Sequence, residues 1–203
     1  MPPNATIRLV DAALNRAGEG LRVVEDYARF VLDDRHLTEL AKSLRHDLTA
    51  AAATLDLGAR RAMRDTPGDV GTRVSTDAEA SRIDTWEVSE ASFKRAQQAL
   101  RSLEEYGKLL DDNFAAQIEA LRYRAYTLEK SFHTHVDSCA RLADTRLMVL
   151  VDGGAGEAEF VKLATTLVAA GVDAIQLREK NLPDRELLNR ARRLTEIARS
   201  GQT

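Results

Sequence analysis

Two short stretches of the sequence combine residue types that could bind and transfer phosphate. The first is RDTPGDVGT, at residues 64 to 72, which contains Arg64, Asp65, Gly68, Asp69 and Gly71. Phosphoryl transfer needs cations around the transferred group, acidic ligands for Mg²⁺ and backbone N–H groups that can approach phosphate oxygens. We expect Arg64 to act as the cation, Asp65 and Asp69 as metal ligands, and the glycines to free backbone donors. The alternative is an ordered loop capped by its own Asp and Thr side chains.

The second stretch is QLREK, which ends an apolar run near residue 175. Side chains alternate across a strand, so Gln176, Arg178 and Lys180 should project to one side of it, and Leu177 and Glu179 to the other. Parallel β/α folds carry their binding groups at the carboxyl ends of strands. An Arg fork and a Lys charge converging there would suit a phosphate or diphosphate. The alternative is that the two cations form a solvated rim.

The elements that would position these residues begin with an internal repeat. Residues 11–29 align with residues 90–108 at a constant offset of 79, and seven of these 19 positions are identical. Apolar residues recur in both copies at steps of three and four, as on the buried face of an amphipathic helix, and this stripe continues to Val31 and Leu110. A second helical pattern follows each copy, and Leu44-Arg45 in the first corresponds to Leu121-Arg122 in the second at an offset of 77. The sequence therefore predicts a duplicated helical hairpin, forming a four-helix-type bundle with a pseudo-twofold axis over residues 6–136.

Charged residues also recur beside the apolar face of the repeat. Four of them correspond between the copies: Arg22, Glu25, Asp26 and Arg29 match Arg101, Glu104, Glu105 and Lys108. Their spacing allows ion pairs on the surface of one helix, each worth about 0.2 to 0.5 kcal/mol. A second interpretation is that Arg22 and Arg101 face each other and line a shared polar site that binds substrate.

The pattern changes after Asp144. A short apolar strand at 146–151 precedes a helical pattern at 157–170, a second strand at 172–177 and a last helix at 183–200. Alternating strands and helices imply parallel β/α units. The predicted fold class is therefore mainly α, followed by two β/α units over residues 145–203.

The composition limits the kinds of molecule that the protein is expected to bind. The chain has 203 residues, a net charge of -3 and a pI near 5.9, so it has no general attraction for nucleic acid or an anionic membrane. No apolar stretch approaches the roughly 20 residues needed to cross a bilayer. One cysteine and no recognisable signal peptide fit a reducing cytoplasm. We expect small-molecule substrates, and the sequence leaves the oligomeric state open.

The segment that contains "RLMVLVDG" and QLREK resembles the opening of thiamine phosphate synthase, a TIM barrel that joins a pyrimidine diphosphate to a thiazole phosphate. The resemblance implies that Gln176, Arg178 and Lys180 hold the pyrimidine diphosphate. It covers only residues 145–203, enough for two of the eight β/α units of a barrel. The family's magnesium ligands belong to later strands. We therefore expect a truncated fusion that cannot by itself make thiamine phosphate.

Residues 6–133 resemble the all-helical domain that precedes thiamine phosphate synthase in some bacteria. The resemblance rests on "DAALNRAGEGLRVVEDYARFVLDD", "SLRHDL", "RDTPGDVGT" and "KRAQQALRSLEEYGK". It implies a kinase that uses ATP and Mg²⁺ to convert hydroxymethylpyrimidine phosphate into the diphosphate that the synthase consumes. The alternative is a non-catalytic module that assembles or regulates the synthase.

Overall fold

A computed structural model describes residues 3–55, Arg64, Gly68 and residues 82–201, and these are mainly helical with a small two-stranded parallel sheet. The chain divides into two compact units, one ending at His135 and the other beginning at Val136. No helix in the described ranges is long and apolar enough to cross a membrane. The elements are, in chain order, α1 (Pro3–Phe30), α2 (Arg35–Ala52), α3 (Thr85–Gly107), α4 (Asp112–Leu142), β1 (Met148–Val151), α5 (Glu157–Ala169), β2 (Ala174–Leu177) and α6 (Asp184–Gly201).

Three helices of the first unit begin at an aspartate that caps their free N–H groups. Asp34 accepts a hydrogen bond from the backbone N–H of Leu37 at 2.8 Å, at the start of α2. Asp84 accepts from Glu87 at 2.8 Å, at the start of α3. Asp111 accepts from Phe114 at 2.7 Å, at the start of α4. Each bond satisfies one of the N–H groups that a helix leaves without a partner in its first turn.

The repeated apolar stripe is the core of the first unit, as the sequence predicted, except at its last position in each copy. Its inner members are fully buried: Ala17, Leu21, Val24 and Ala28 on α1, and Phe93, Ala96, Leu100 and Leu103 on α3. Val31 and Leu110, which continue the stripe in the sequence, are instead exposed. They follow the ends of α1 and α3. The helical period no longer places a side chain on the core face once the helix has ended.

Helices α1 and α3 run antiparallel and touch closely. The ring centroid of Tyr27, late on α1, lies 5.6 Å from that of Trp86, early on α3. Gly20, earlier on α1, meets Ser92 and Ala96, which come later on α3. A Cβ on Gly20 would lie 2.8 Å from the carbonyl oxygen of Ser92, so the two backbones approach closely because residue 20 has no side chain.

The second unit is a β/α/β/α segment. Strands β1 and β2 pair in parallel, with Met148 opposite Ala174 and Val151 opposite Leu177. Its core comprises Val151, Phe160, Ala164 and Leu194, with other apolar side chains of the strands and helices packed around them. Both strands are shorter than the sequence suggested.

A side chain supports the backbone at the amino ends of both strands. The carboxylate of Asp173 accepts hydrogen bonds from the backbone N–H groups of Arg146, at 3.1 Å, and Leu147, at 2.9 Å. These two bonds hold the pKa of Asp173 below its usual value. Asp173 thereby fixes the residues that lead into β1, where the apolar pattern alone predicted more strand.

Candidate functional site

Each repeat of the helical unit buries one glutamate that is paired with an arginine from the following helix. Glu25 on α1 and Glu104 on α3 are 5% and 4% exposed. Nε of Arg45 lies 2.7 Å from Oε2 of Glu25, and Nε of Arg122 lies 2.6 Å from Oε2 of Glu104. A buried carboxylate needs such a partner, because leaving it unpaired costs several kcal/mol. The two ion pairs therefore join α1 to α2 and α3 to α4 at equivalent places.

Arg22 and Arg101 complete these two clusters from the solvent side. Nη1 of Arg22 lies 3.4 Å from Glu25, and Nη1 of Arg101 lies 2.7 Å from Glu104. Each also reaches the next acidic residue of its own helix, Asp26 at 3.4 Å and Glu105 at 2.8 Å. Both guanidinium groups are half-exposed and held by carboxylates of their own helix, in agreement with the ion-pair interpretation. Substrate binding by Arg22 and Arg101 stays a prediction.

Within each cluster, the opposite charges stabilise one another. Burial alone would raise the pKa of Glu25, but the hydrogen bond from Arg45 and the charges of Arg45 and Arg22 lower it below its usual value. The bond to Glu104 raises the pKa of Arg122 above its already high value, and the hydroxyl of Tyr126 adds to this effect. Sequence reasoning noted the correspondence of Arg45 with Arg122 without giving them a role. Their recurrence at the second helix of each repeat was the available signal.

Arg64, the predicted phosphate-binding cation, lies against α1. Its Nη2 donates to Oδ1 of Asp11 at 3.0 Å and to Oδ1 of Asn15 at 3.1 Å, while its Nε donates to the other oxygen of Asp11. Asp11 is 3% exposed, and its hydrogen bonds and negative charge raise the pKa of Arg64. This two-bond geometry fixes the plane of the guanidinium group. Asp11 and Asn15 were not among the predicted site residues, although Asp11 is an acidic residue beside the buried face of α1.

The remaining residues predicted in this stretch are only partly described. Gly68 lies in an exposed turn. Asp65, Asp69 and Gly71 lie outside the described residues, so the magnesium site proposed for them stays a prediction. Within the described ranges no group of three or more His, Cys, Asp or Glu residues is arranged to hold a metal ion.

The predicted diphosphate residues lie at the carboxyl end of β2. Gln176 lies in the strand opposite Leu150, and the backbone N–H of Arg178 extends the pairing by donating to the carbonyl of Val151 at 2.8 Å. The side chains of Gln176, Arg178 and Lys180 are exposed. The structure thus places these side chains in or just beyond the last residues of β2. Their projection to one side and their binding of a diphosphate stay predictions.

Glu179 organises the turn beside these residues. Its carboxylate accepts hydrogen bonds from the backbone N–H groups of Gly153 at 3.0 Å, Lys180 at 2.7 Å and Asn181 at 2.8 Å. The bonds from Asn181, Gly153 and Lys180 hold its pKa below the usual value. Glu179 therefore ties the loop after β1 to the loop after β2. Sequence reasoning assigned it only to the opposite side of the strand from its neighbours.

The fold and these sites define a class of protein with a duplicated helical domain, rich in buried ion pairs, followed by a parallel β/α segment with cations at a strand end. Residues 8–131 match the model of the ThiD2 family, so the chain belongs to that family. Residues 147–203 match the family described as thiamine monophosphate synthase. Both resemblances expected from the sequence are confirmed at the level of the family.

Curated relatives match almost the whole chain. The thiamine-phosphate synthase of Rhodopirellula baltica is 44% identical over 191 residues, which is 92% of this chain and 51% of the relative. Those of Synechocystis sp. and Gloeobacter violaceus are each 38% identical, over 97% and 94% of this chain and 55% and 54% of the relatives. The chain thus spans about half the length of these relatives. No solved structure matches it.

Proposed function

We propose that the protein acts in thiamine biosynthesis, with a helical domain that phosphorylates hydroxymethylpyrimidine phosphate and a β/α segment that belongs to a thiamine phosphate synthase. One observation carries this proposal: the ThiD2 match at 8–131 directly precedes the synthase match at 147–203 on the same chain. The diphosphate formed by the first activity is the compound that the second would condense with thiazole phosphate. Joining the two catalysts would keep consecutive steps on one protein.

We infer the finer architecture in the same way. Helices α1 to α4 would form two repeated hairpins arranged as a four-helix bundle around a pseudo-twofold axis. The matching ion pairs of Glu25 with Arg45 and Glu104 with Arg122 support this symmetry. The order of β1, α5, β2 and α6, with parallel strands, fits the first two units of a TIM barrel.

For the kinase step we assign Arg64 to the transferred phosphate. Its guanidinium is half-exposed while Asp11 fixes its orientation, so it can present its remaining N–H groups to an anion. Asp65 and Asp69 would be the ligands of Mg²⁺, with Gly68 and Gly71 offering backbone donors to ATP. Magnesium, when bound, would neutralise charge on the phosphates. Asp11 is a poor candidate for this metal because both its oxygens already accept from Arg64.

For the condensation step we assign Gln176, Arg178 and Lys180 to the pyrimidine diphosphate. A guanidinium fork and an ammonium group at one strand end provide charge-assisted bonds to phosphate oxygens. Glu179 would set the path of the backbone that carries them, through its bond to Gly153. This assignment makes Glu179 a positioning residue.

A second candidate function is a non-catalytic module that assembles or regulates the synthase. The observation that favours it is that Arg22 and Arg101 are each occupied by carboxylates of their own helix. Such ion pairs stabilise a helical scaffold without requiring a ligand.

Release of ADP by the 203-residue chain, supplied with ATP, Mg²⁺ and hydroxymethylpyrimidine phosphate, distinguishes the two functions. We expect release that depends on the pyrimidine, lowered by orders of magnitude in Asp69→Asn and Arg64→Met. Asp144→Asn, which removes an exposed carboxylate outside these sites, is the matched control. Folded protein that releases no ADP above background would favour the module, and near-native turnover in Asp69→Asn would remove that residue from the mechanism.

A further inference from the structure

A polar groove of about 640 Å³ runs between α1 and α3. Every residue that lines it from α1 is matched by a residue of α3 at the repeat offset of 79, as Arg16 is matched by Arg95. The two sides of the groove are therefore formed by equivalent positions of the two repeats. Its volume falls in the range of about 300 to 1,000 Å³ that is usual for small-molecule sites.

Small residues where the helices meet form the floor of this groove. Gly20 touches the backbone of Ser92, and Ala99 occupies the position equivalent to Gly20 in the second repeat. Larger side chains at these positions would fill the space between the helices or push them apart. The longer polar residues that line it, Arg16, Glu19, Arg95 and Gln98, are exposed to solvent.

The two arginines of the groove differ from the other repeated arginines. Arg22 and Arg101 each pair with carboxylates of their own helix. In the part of the chain that the structure describes, the side chains of Arg16 and Arg95 make no hydrogen bond or ion pair. Glu19 lies three residues after Arg16 in the same groove, but no ion pair joins them among the described residues.

The second repeat has no acidic residue at the position equivalent to Glu19. The position equivalent to Glu19 is Gln98, which contributes an amide donor instead of a negative charge. The residues that line the groove therefore carry two positive charges and one negative charge. Guanidinium groups are weakly hydrated and present flat forks of N–H donors, which suit a doubly charged tetrahedral anion better than a single carboxylate.

We propose that this groove binds a phosphate-bearing small molecule, whose phosphate oxygens accept hydrogen bonds from Arg16 and Arg95. Two sources share this chemistry, the phosphate of a pyrimidine substrate and the phosphate chain of a nucleotide. The Gln98 amide is available to the rest of the ligand. The site is distinct from the one built around Arg64, and it holds whether or not the helical domain transfers a phosphoryl group.

Calorimetric titration of the 203-residue chain, without Mg²⁺, tests the site directly. The probes are inorganic diphosphate, hydroxymethylpyrimidine phosphate and ATP, each titrated separately. Arg16→Gln and Arg95→Gln should each weaken binding roughly 10- to 100-fold, as expected for the loss of a charge-assisted hydrogen bond. The matched control is Arg29→Gln, which removes another exposed cation of α1 that does not line the groove. Both arginines are exposed, so circular dichroism should show the same helical content in all variants.

The outcomes separate the sources and the competing explanations. The probe whose affinity depends on both arginines identifies the ligand class, pyrimidine phosphate or nucleotide. The proposal is overturned if no probe binds, if the double variant binds as well as the original chain, or if Arg29→Gln weakens binding equally. It is also overturned if sedimentation shows that the original chain is a dimer and the double variant a monomer, because a second copy would then cover the groove. Binding through both arginines without ADP release would contradict only the kinase proposal.

Discussion

The guanidinium of Arg122 and the carboxylate of Glu104 meet inside the helical unit, with Nε 2.6 Å from Oε2 and both side chains almost inaccessible to solvent. Arg122 also lies over the rings of Tyr123 and Tyr126, 4.6 and 5.6 Å from their centroids. The charge of Arg122 is thus surrounded by one carboxylate and two aromatic faces. This pair joins α3 to α4 across the second repeat.

We predict that Glu104→Gln lowers the free energy of unfolding by about 1 to 3 kcal/mol, because Arg122 keeps its charge and loses its buried anionic partner. Chemical denaturation followed by circular dichroism measures the change. Glu105→Gln, which alters the neighbouring and more exposed carboxylate, should change stability by well under about 1 kcal/mol. Equal effects in the two variants would contradict a special role for the buried pair.

The equivalent pair in the first repeat should make stability depend on pH. The pKa of Glu25 is lowered from its ordinary value of 4.5 in the folded protein, so its contribution is complete above that value. It is lost as the pH falls through the lower folded pKa, since the carboxylate then takes up a proton and no longer attracts Arg45. The stability difference between the original chain and Glu25→Gln should therefore shrink below about pH 4.5. A stability difference between the two proteins that grows as the pH falls would contradict this prediction.

Two glycines of α1 should respond oppositely to the same substitution. Gly18→Ala should stabilise the protein by about 0.5 to 1 kcal/mol, because alanine favours helix and a Cβ there meets nothing within 4 Å. Gly20→Ala should destabilise it by about 1 to 3 kcal/mol, because the new Cβ would lie 2.8 Å from the carbonyl oxygen of Ser92. Thermal unfolding of both variants measures the contrast. Stabilisation by both would mean that α1 and α3 do not touch at residue 20.

Glu179→Gln should loosen the two loops at the carboxyl ends of β1 and β2. An uncharged amide accepts the three backbone hydrogen bonds more weakly than a carboxylate. Amide hydrogen exchange at Gly153 and Asn181 should therefore become faster, while exchange in α1 to α4 stays unchanged. Arg178→Gln is the control, because it changes an exposed side chain and keeps the backbone bond to Val151. Unchanged exchange at Gly153 would remove Glu179 from the support of this edge.

The sequence by itself determined the order and type of the elements and which face of α1 and α3 is buried. Leu21 and Leu100 could be assigned to the core because helical geometry places residues at steps of three and four on one face. The two strands and their parallel pairing followed from the same kind of local regularity. The prediction that Val31 and Leu110 are buried was wrong. The apolar spacing continues in the sequence at these residues, but the helices have already ended.

Only the tertiary structure decided which charged groups meet. Arg64 reaches Asp11 across 53 residues of chain, and Arg122 reaches Glu104 from the next helix. Such partners depend on where helices cross and how far one is shifted along another. Neither quantity is contained in the period of a single helix, because side-chain packing between helices sets both. The groove beside Arg16 is decided in this way, because α3 forms its other side. The ion pairs of Arg22 within α1 instead follow from spacing along a single helix.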